Sequence, residues 1–291
     1  MATMEQITSD LIGGAAGPCL VICEDDVSAI KKKIADNDWA AQAFASLETQ
    51  AKGWIDQPID IPERGGQWPH WYACEDCGTR LETASPTEHL CSSCDRVYTG
   101  EPWDSVPLTE VHNGLSQAAL SLGVYFALTG DRDAAHKVAE ILLGYAERYP
   151  HYEIRDHNLA SDTRWATKVS WGTLGESVWL IPICGGYDLI RDAGVLTPAD
   201  YQTIRQQLLR PAARLILKHD IGIHNIQCWH NAAIGAAGLM LRDRDLVGFA
   251  VEGDVGIRAQ IRKGILSDGF WHEGSWGYHF YGMRPLLAWM E

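Results

Sequence analysis

At 291 residues, 46% hydrophobic and 21% charged, the chain can bury a large core as one big domain or two modest ones, which excludes a disordered or low-complexity protein. A formal net charge of −14, with Lys31-Lys32-Lys33 as the one basic run, excludes a general nucleic-acid binder, because phosphate contacts need a basic surface. No apolar run approaches the roughly 20 residues of a membrane helix, so neither a membrane nor a nucleic-acid partner is expected.

Met1 to Gly17 has neither the basic start nor the long apolar centre of a secretory signal. The chain as written therefore reads as cytoplasmic, and as periplasmic or secreted if a leader was trimmed. Acids at Glu24, Asp25 and Asp26 precede Val27, Ile30, Ile34, Trp39, Ala43 and Leu47, a pattern that predicts one or two helices with a compensated dipole at the start. Pro58, Pro62, Gly65, Gly66 and Pro69 then break the period and open an irregular insert reaching about Pro107. Three parts are expected: an N-terminal helical segment over 1–66, the insert over 67–107, and the main helical body over 108–291.

The insert carries Cys74-Glu-Asp-Cys77 and Cys91-Ser-Ser-Cys94, two pairs separated by thirteen residues. Each pair can present two thiolates to one ion, and the loop between them can fold back to close a tetrahedron around a structural Zn²⁺. Gly78 supplies the tight turn after the first pair and Asp95 stands in that place after the second. Two disulfides or a redox pair are the alternatives, although no βαβ pattern surrounds either pair. Cys19, Cys23, Cys184 and Cys228 read as small buried hydrophobes.

Beyond the insert, Leu115, Ala118, Ala119, Leu122, Tyr125 and Phe126 mark one face of a helix over 111–128. Gly130 can close it in the left-handed region and Asp131 can cap the next helix, which runs to Tyr149. Residues 151–169 are polar without a period and are expected to form a surface loop. A long helix follows over 173–193 with Pro182 and Gly185-Gly186 as kink points, and Thr197-Pro198 opens another, bent near Pro211. Residues 229–241 are rich in Ala and Gly, one helix is expected over 245–266, and a last one from Arg284. Paired helices on short turns predict an all-α fold: a bundle or an (α/α) toroid, an incomplete barrel of antiparallel pairs with a small zinc-ribbon insert.

Two stretches concentrate polar and aromatic groups. One is His224-Asn225-Ile-Gln227-Cys-Trp229-His230-Asn231. The other, over 268–281, holds Trp271, Glu273, Tyr278, His279 and Tyr281 among glycines and reads as irregular. An amide can bind a carboxylate without ionising, Tyr or His can move protons, and Trp can stack on a sugar ring, which together suit a sugar acid. Quieter readings stand beside these: Asn225 as a helix cap, Trp229 and Trp271 as core, Glu176 as a surface charge. Arg164, Lys168 and Arg284 are the cations available to attract a polyanion to an acidic protein.

A set of motifs in one order resembles the heparinase II/III and alginate-lyase type of polysaccharide lyase. They are Pro18-x-Leu20, the insert, Gly130-Asp131 before a helix ending Tyr145-Ala-Glu-Arg-Tyr149-Pro150, Asn225-x-x-x-Trp229, and Asp268-Gly with Glu273-Gly-Ser and Tyr278-His279. The resemblance covers nearly the whole chain and implies an (α/α) toroid followed, in a larger enzyme, by a β-sandwich domain. It implies β-elimination on an acidic, uronate-containing polysaccharide of alginate or heparin type, with Asn225 neutralising the carboxylate and Tyr278 acting as acid, or as acid and base. Many relatives have His directly after that Asn. Here Ile226 follows, so His224 or His230 would supply the imidazole. Gln227, Trp229, Trp271, Glu273, His279 and Tyr281 are the expected substrate contacts. Relatives draw a further histidine from the β domain, so the chain alone is expected to be poorly active. A glycoside hydrolase using Glu273 and Glu176, and a non-catalytic glycan-binding module, are the competing readings.

Overall fold

The computed structural model describes residues 20–287; the expectations for Met1 to Gly17, for Cys19 and for the helix end at Glu291 fall outside them. Helices α1 (Glu24–Asp36) and α2 (Asp38–Ile55) lead to the insert, and α3 (Val106–Thr129) and α4 (Arg132–Arg148) follow it. Then come α5 (Thr173–Ile190), α6 (Pro198–Thr203), α7 (Arg210–Leu217), α8 (Asn225–Leu241), α9 (Arg244–Glu252), α10 (Ile257–Gly264) and α11 (Trp276–Leu287).

They sort into two layers. α3, α5, α8 and α11 pack side by side in that order as an inner row, while α4, α7, α9 and α10 lie outside them, each against one or two inner helices. Sequence explains the sorting. α8 is buried at almost every position from Asn225 to Leu241, and α5 is apolar or small nearly all round, so neither has a face for water. α4 instead buries Ala134, Ala135, Val138, Ile141, Leu142 and Tyr145 and turns Lys137, Glu140 and Glu147 outward. Close packing within the inner row depends on small residues: a Cβ on Gly186 of α5 would lie 2.8 Å from the Ala119 carbonyl oxygen of α3. One core runs through both layers and includes Ala51 and Ile61, so the helices before the insert share it with those after.

The predicted punctuation is present at two turns. Gly130 ends α3 at φ 78°, with the Asp131 carboxylate accepting from the Asp133 N–H, and Thr197 and Asp200 cap α6 reciprocally. Near Pro211 the rod from α6 to α7 widens into π-helix over Ile204–Leu209, a geometry that accommodates the missing N–H and the bulk of the ring.

Four expectations need correction. The helix expected over 245–266 is two, interrupted at residues 253–256, where a Cβ on Gly253 would meet the Phe249 carbonyl oxygen at 2.6 Å. The last helix starts at Trp276, inside the stretch read as irregular, because its exposed Trp276, Tyr278 and Phe280 hide the apolar period. Residues 151–169 are no surface loop: Tyr152, Arg155, Asp156, Ala166, Thr167 and Val169 are buried, and the Asp156 carboxylate accepts from the Asn158 and Ala160 N–H groups and the Thr163 hydroxyl. Cys23 is exposed, whereas Cys184 and Cys228 are buried as expected.

The insert forms a three-stranded antiparallel sheet, β1 (Glu82–Ser85), β2 (Glu88–Leu90) and β3 (Val97–Tyr98), in that order. It has its own small core of Tyr72, Cys74, Leu81, Cys91, Tyr98 and Val106.

Candidate active site

Polar groups gather where the inner helices begin. At the start of α5 the Thr173 hydroxyl meets His219 Nδ1 at 2.9 Å. His219 lies 5.6 Å, ring to ring, from His230 of α8, and its other side is covered edge-on by Trp165 at 3.8 Å. Farther out, Trp171 approaches Trp68 at 6.0 Å, and Trp68 approaches His157 at 5.3 Å. Burial pushes the imidazoles down, His219 to about 4 and His230 to about 3, so both stay neutral. His219 Nε2 and both ring nitrogens of His230 have no hydrogen-bond partner among the described residues.

Asn225 opens α8 beside these groups. His224, not Asn225, is the cap: its Nδ1 accepts from the Ile226 N–H at 3.1 Å. That leaves the Asn225 side chain for another task. Its backbone N–H and its Nδ2 both donate to the Glu273 carboxylate at 2.8 Å, and Trp271 Nε1 donates to the same group at 2.5 Å. His224 Nε2 stands 3.5 Å away. Burial alone would raise the Glu273 pKa, but the hydrogen bonds from Trp271 and Asn225, with His224 nearby, outweigh it and hold the carboxyl below its ordinary value.

α11 crosses α8 at this point. The two helices touch there: a Cβ on Gly282 would stand at van der Waals distance, 3.4 Å, from Asn225 Cβ. Tyr278 lies four residues before Gly282, about 6 Å along the axis, with half its surface (52%) exposed. Tyr281 packs on Trp229 at 5.0 Å, one turn into α8. The structure thus gathers His224 and Glu273 around Asn225, which is itself buried at 3% exposure beneath Gly282, with the exposed Tyr278 one turn of α11 away and the Trp229–Tyr281 pair one turn along α8.

It does not bring all the expected contacts to a surface. Gln227 is fully buried, accepting from the Ile221 N–H and donating to Asn231. Trp271 is core, pressed against Gly264, where a Cβ would sit 2.3 Å from the ring. His230 is sealed. His279 accepts from the Trp271 N–H and stacks on Phe270 at 4.7 Å, which makes it a staple of the segment. Glu176 is no surface charge: fully buried, it accepts from the Tyr149 hydroxyl and from the Val169 and Ser170 N–H groups, with its pKa pushed up to about 6 by burial. Glu176 is therefore not available to pair with Glu273 in a hydrolase. Lys168 is held by the carbonyls of Tyr149 and Pro150, leaving Arg164 and Arg284 exposed. Sequence reasoning missed His219, Trp165, Trp171, Trp68 and His157; the local density of Trp and His in 68–71 and 157–171 was the available signal.

The family model for alginate lyases matches residues 113–291, more than half of the chain. The chain belongs to the alginate lyase family. Its curated relatives include an alginate lyase of Stenotrophomonas maltophilia (strain K279a), 35% identical over 190 residues, a match covering 61% of this chain and 24% of that protein. An exo-oligoalginate lyase of Saccharophagus degradans is 28% identical over 187 residues, covering 61% and 25%. The matched segment is thus about a quarter of the length of these alginate lyases. Among solved structures, an alginate lyase from Bacteroides ovatus superposes at a TM-score of 0.59 and 12% identity, covering 94% of this chain and 76% of that one. Alginate lyase A1-III from Sphingomonas species A1 gives 0.53 at 15% identity, covering 90% and 67%. These likenesses establish the fold, and the two-layered row of helices is the (α/α) toroid of the alginate lyase family.

Proposed function

We propose that the chain is the toroid of a polysaccharide lyase that cleaves alginate, or a similar uronate polymer, by β-elimination. Family membership supports the reaction class, and the contact of Asn225 with Gly282, which sets Tyr278 one turn of α11 away, is the observation on which the residue roles rest.

In such a reaction the uronate carboxylate is neutralised, which acidifies the C5 proton. A base removes that proton, the C4–O bond breaks as the C4=C5 double bond forms, and the leaving oxygen takes up a proton. Asn225 suits the first task. Both Glu273 oxygens lie 2.8 Å from Nδ2, an angle narrower than that between its two hydrogens, so one N–H serves Glu273 and the other is left to meet a substrate carboxylate, which has to reach a residue only 3% exposed. Glu273 fixes the amide plane. Tyr278, exposed on α11, is the group positioned to exchange protons with a bound sugar, and Trp229 with Tyr281 offers a stacking surface. His224 serves as cap and neighbour of Glu273, since its Nδ1 is occupied by Ile226.

Incubation with alginate should raise the ultraviolet absorbance of a conjugated, unsaturated uronate. Tyr278→Phe should lower the rate by about 10²-fold or more while leaving the melting temperature unchanged. New reducing ends without the absorbance would instead indicate hydrolysis, and full activity in the Phe variant would remove Tyr278 from the mechanism.

A further inference from the structure

We propose that Cys74, Cys77, Cys91 and Cys94 hold one Zn²⁺ ion, and that this ion anchors the turn carrying Trp68 and Trp71 as a wall of the substrate cleft. The four Sγ atoms all lie within 4.8 Å of one another. Cys74 approaches Cys94 at 3.6 Å and Cys77 approaches Cys91 at 3.4 Å. A tetrahedron with Zn–S bonds of about 2.3 Å has edges of about 3.8 Å, close to both separations, whereas a disulfide needs about 2.05 Å. Both of these contacts run between the two pairs, and all four sulfurs share one cluster, which fits a common ion better than a redox Cys-x-x-Cys.

The backbone repeats the same turn at each pair. Gly78 N–H donates to the Cys74 carbonyl at 2.8 Å and Asp95 N–H to the Cys91 carbonyl at 2.9 Å, with Gly78 at φ 70° and Asp95 at φ 57°. Cys74 N–H returns to the Thr79 carbonyl, and Cys91 N–H to that of Arg96. Aspartate tolerates the left-handed region that glycine takes at the first turn, so both knuckles share one backbone shape. The Tyr98 hydroxyl donates to Cys74 Sγ at 3.3 Å, as outer-shell donors do at thiolate sites. Three strands of two to four residues and a small apolar cluster supply little core of their own, the usual circumstance for a structural metal.

From the sulfurs the contacts lead to His157 and Trp171 of the helical body. The Tyr72 hydroxyl meets Nδ1 of His89 on β2 at 2.6 Å, and the other nitrogen of His89 meets Asp104 at 3.1 Å. Trp71 packs on the ribbon core and donates through Nε1 to the His157 carbonyl at 2.7 Å. Trp68 lies against both His157 and Trp171. Gln67 and Gly66 hold the start of this turn to the helical body, so releasing the ion loosens its ribbon side, where Trp71 packs, while the shared helical core keeps its own contacts.

The metal is tested without substrate. Purified chain should contain one equivalent of zinc, Co²⁺ exchanged into it should show thiolate charge-transfer absorption, and Cys74→Ser with Cys91→Ser should lose both. Native protein with iron at the site, with no stoichiometric metal, or with its cysteines in disulfides would overturn the assignment. The wall rests on the lyase reading and has its own arm. Zinc-depleted chain that retains its helical circular dichroism, and zinc-loaded Trp71→Phe, should each bind an oligouronate about 10-fold more weakly, with kcat changed far less than KM in the Phe variant. Unchanged affinity in the Phe variant would overturn the wall. If zinc-loaded wild-type chain binds no oligouronate, the wall and the lyase reading fall together and the metal site stands.

Discussion

Asn225 holds a carboxylate from its own chain, and that pairing changes how its neighbours are understood. Glu273 was legible as a candidate because it sits among aromatics and glycines, but its three strong donors, Asn225 N and Nδ2 and Trp271 Nε1, come from residues whose meeting no local pattern announces. Glu273→Ala would leave those donors unpaired at a largely buried position. The expected cost is about 1–3 kcal/mol of stability, read from denaturant melts, together with a raised KM as the Asn225 amide loses its orientation. Glu176 carries a second residue-scale prediction. Its folded-state pKa, about 6, lies above the ordinary 4.5, so the folded protein favours the protonated form. The stability from that protonated form is fully present below about pH 4.5 and is lost as pH rises through about 6, a change of about 2 kcal/mol. Melting temperatures of wild type and Glu176→Gln across that window should differ in slope, with the variant flatter; parallel curves would show that Glu176 does not titrate there.

Among the elements, glycine decides how closely helices approach. Gly264 ends α10 against the buried Trp271 ring, with a Cβ due 2.3 Å from it. Gly264→Ala should destabilise by about 1–3 kcal/mol and disturb the Trp271 to Glu273 hydrogen bond, visible as a shift in tryptophan fluorescence. The caps at Asp131 and Thr197 were readable because capping is a local matter of three or four residues. The start of α11 was not, since its first turns expose Trp276, Tyr278 and Phe280 and show no buried stripe. Likewise the stretch over 151–169 looked like a loop because its order comes from buried polar bonds around Asp156 and Arg155, which hydropathy does not register.

For the molecule as a whole, a net charge of −14 sets the field of the chain against the polyanion proposed as its substrate. Raising ionic strength from about 10 mM to about 150 mM shortens the screening length from about 30 Å to about 8 Å and should increase kcat/KM for polymeric alginate. A fall over that range would mean that local cations, with Arg164 and Arg284 the exposed candidates, dominate the approach.

By itself the sequence determined the class of fold, the helix pairs with their caps, the metal-type cysteine spacing and the two stretches that hold Asn225 and Tyr278. Each of these is written in residues close together along the chain. Only the tertiary structure decided which candidates reach a surface. Trp271, Gln227, His230 and Glu176 were removed from substrate contact by packing against other helices. His219, Trp165, Trp171 and Trp68 were assembled from segments up to about 150 residues apart, a juxtaposition set by how the inner helices pack side by side and invisible to any local pattern.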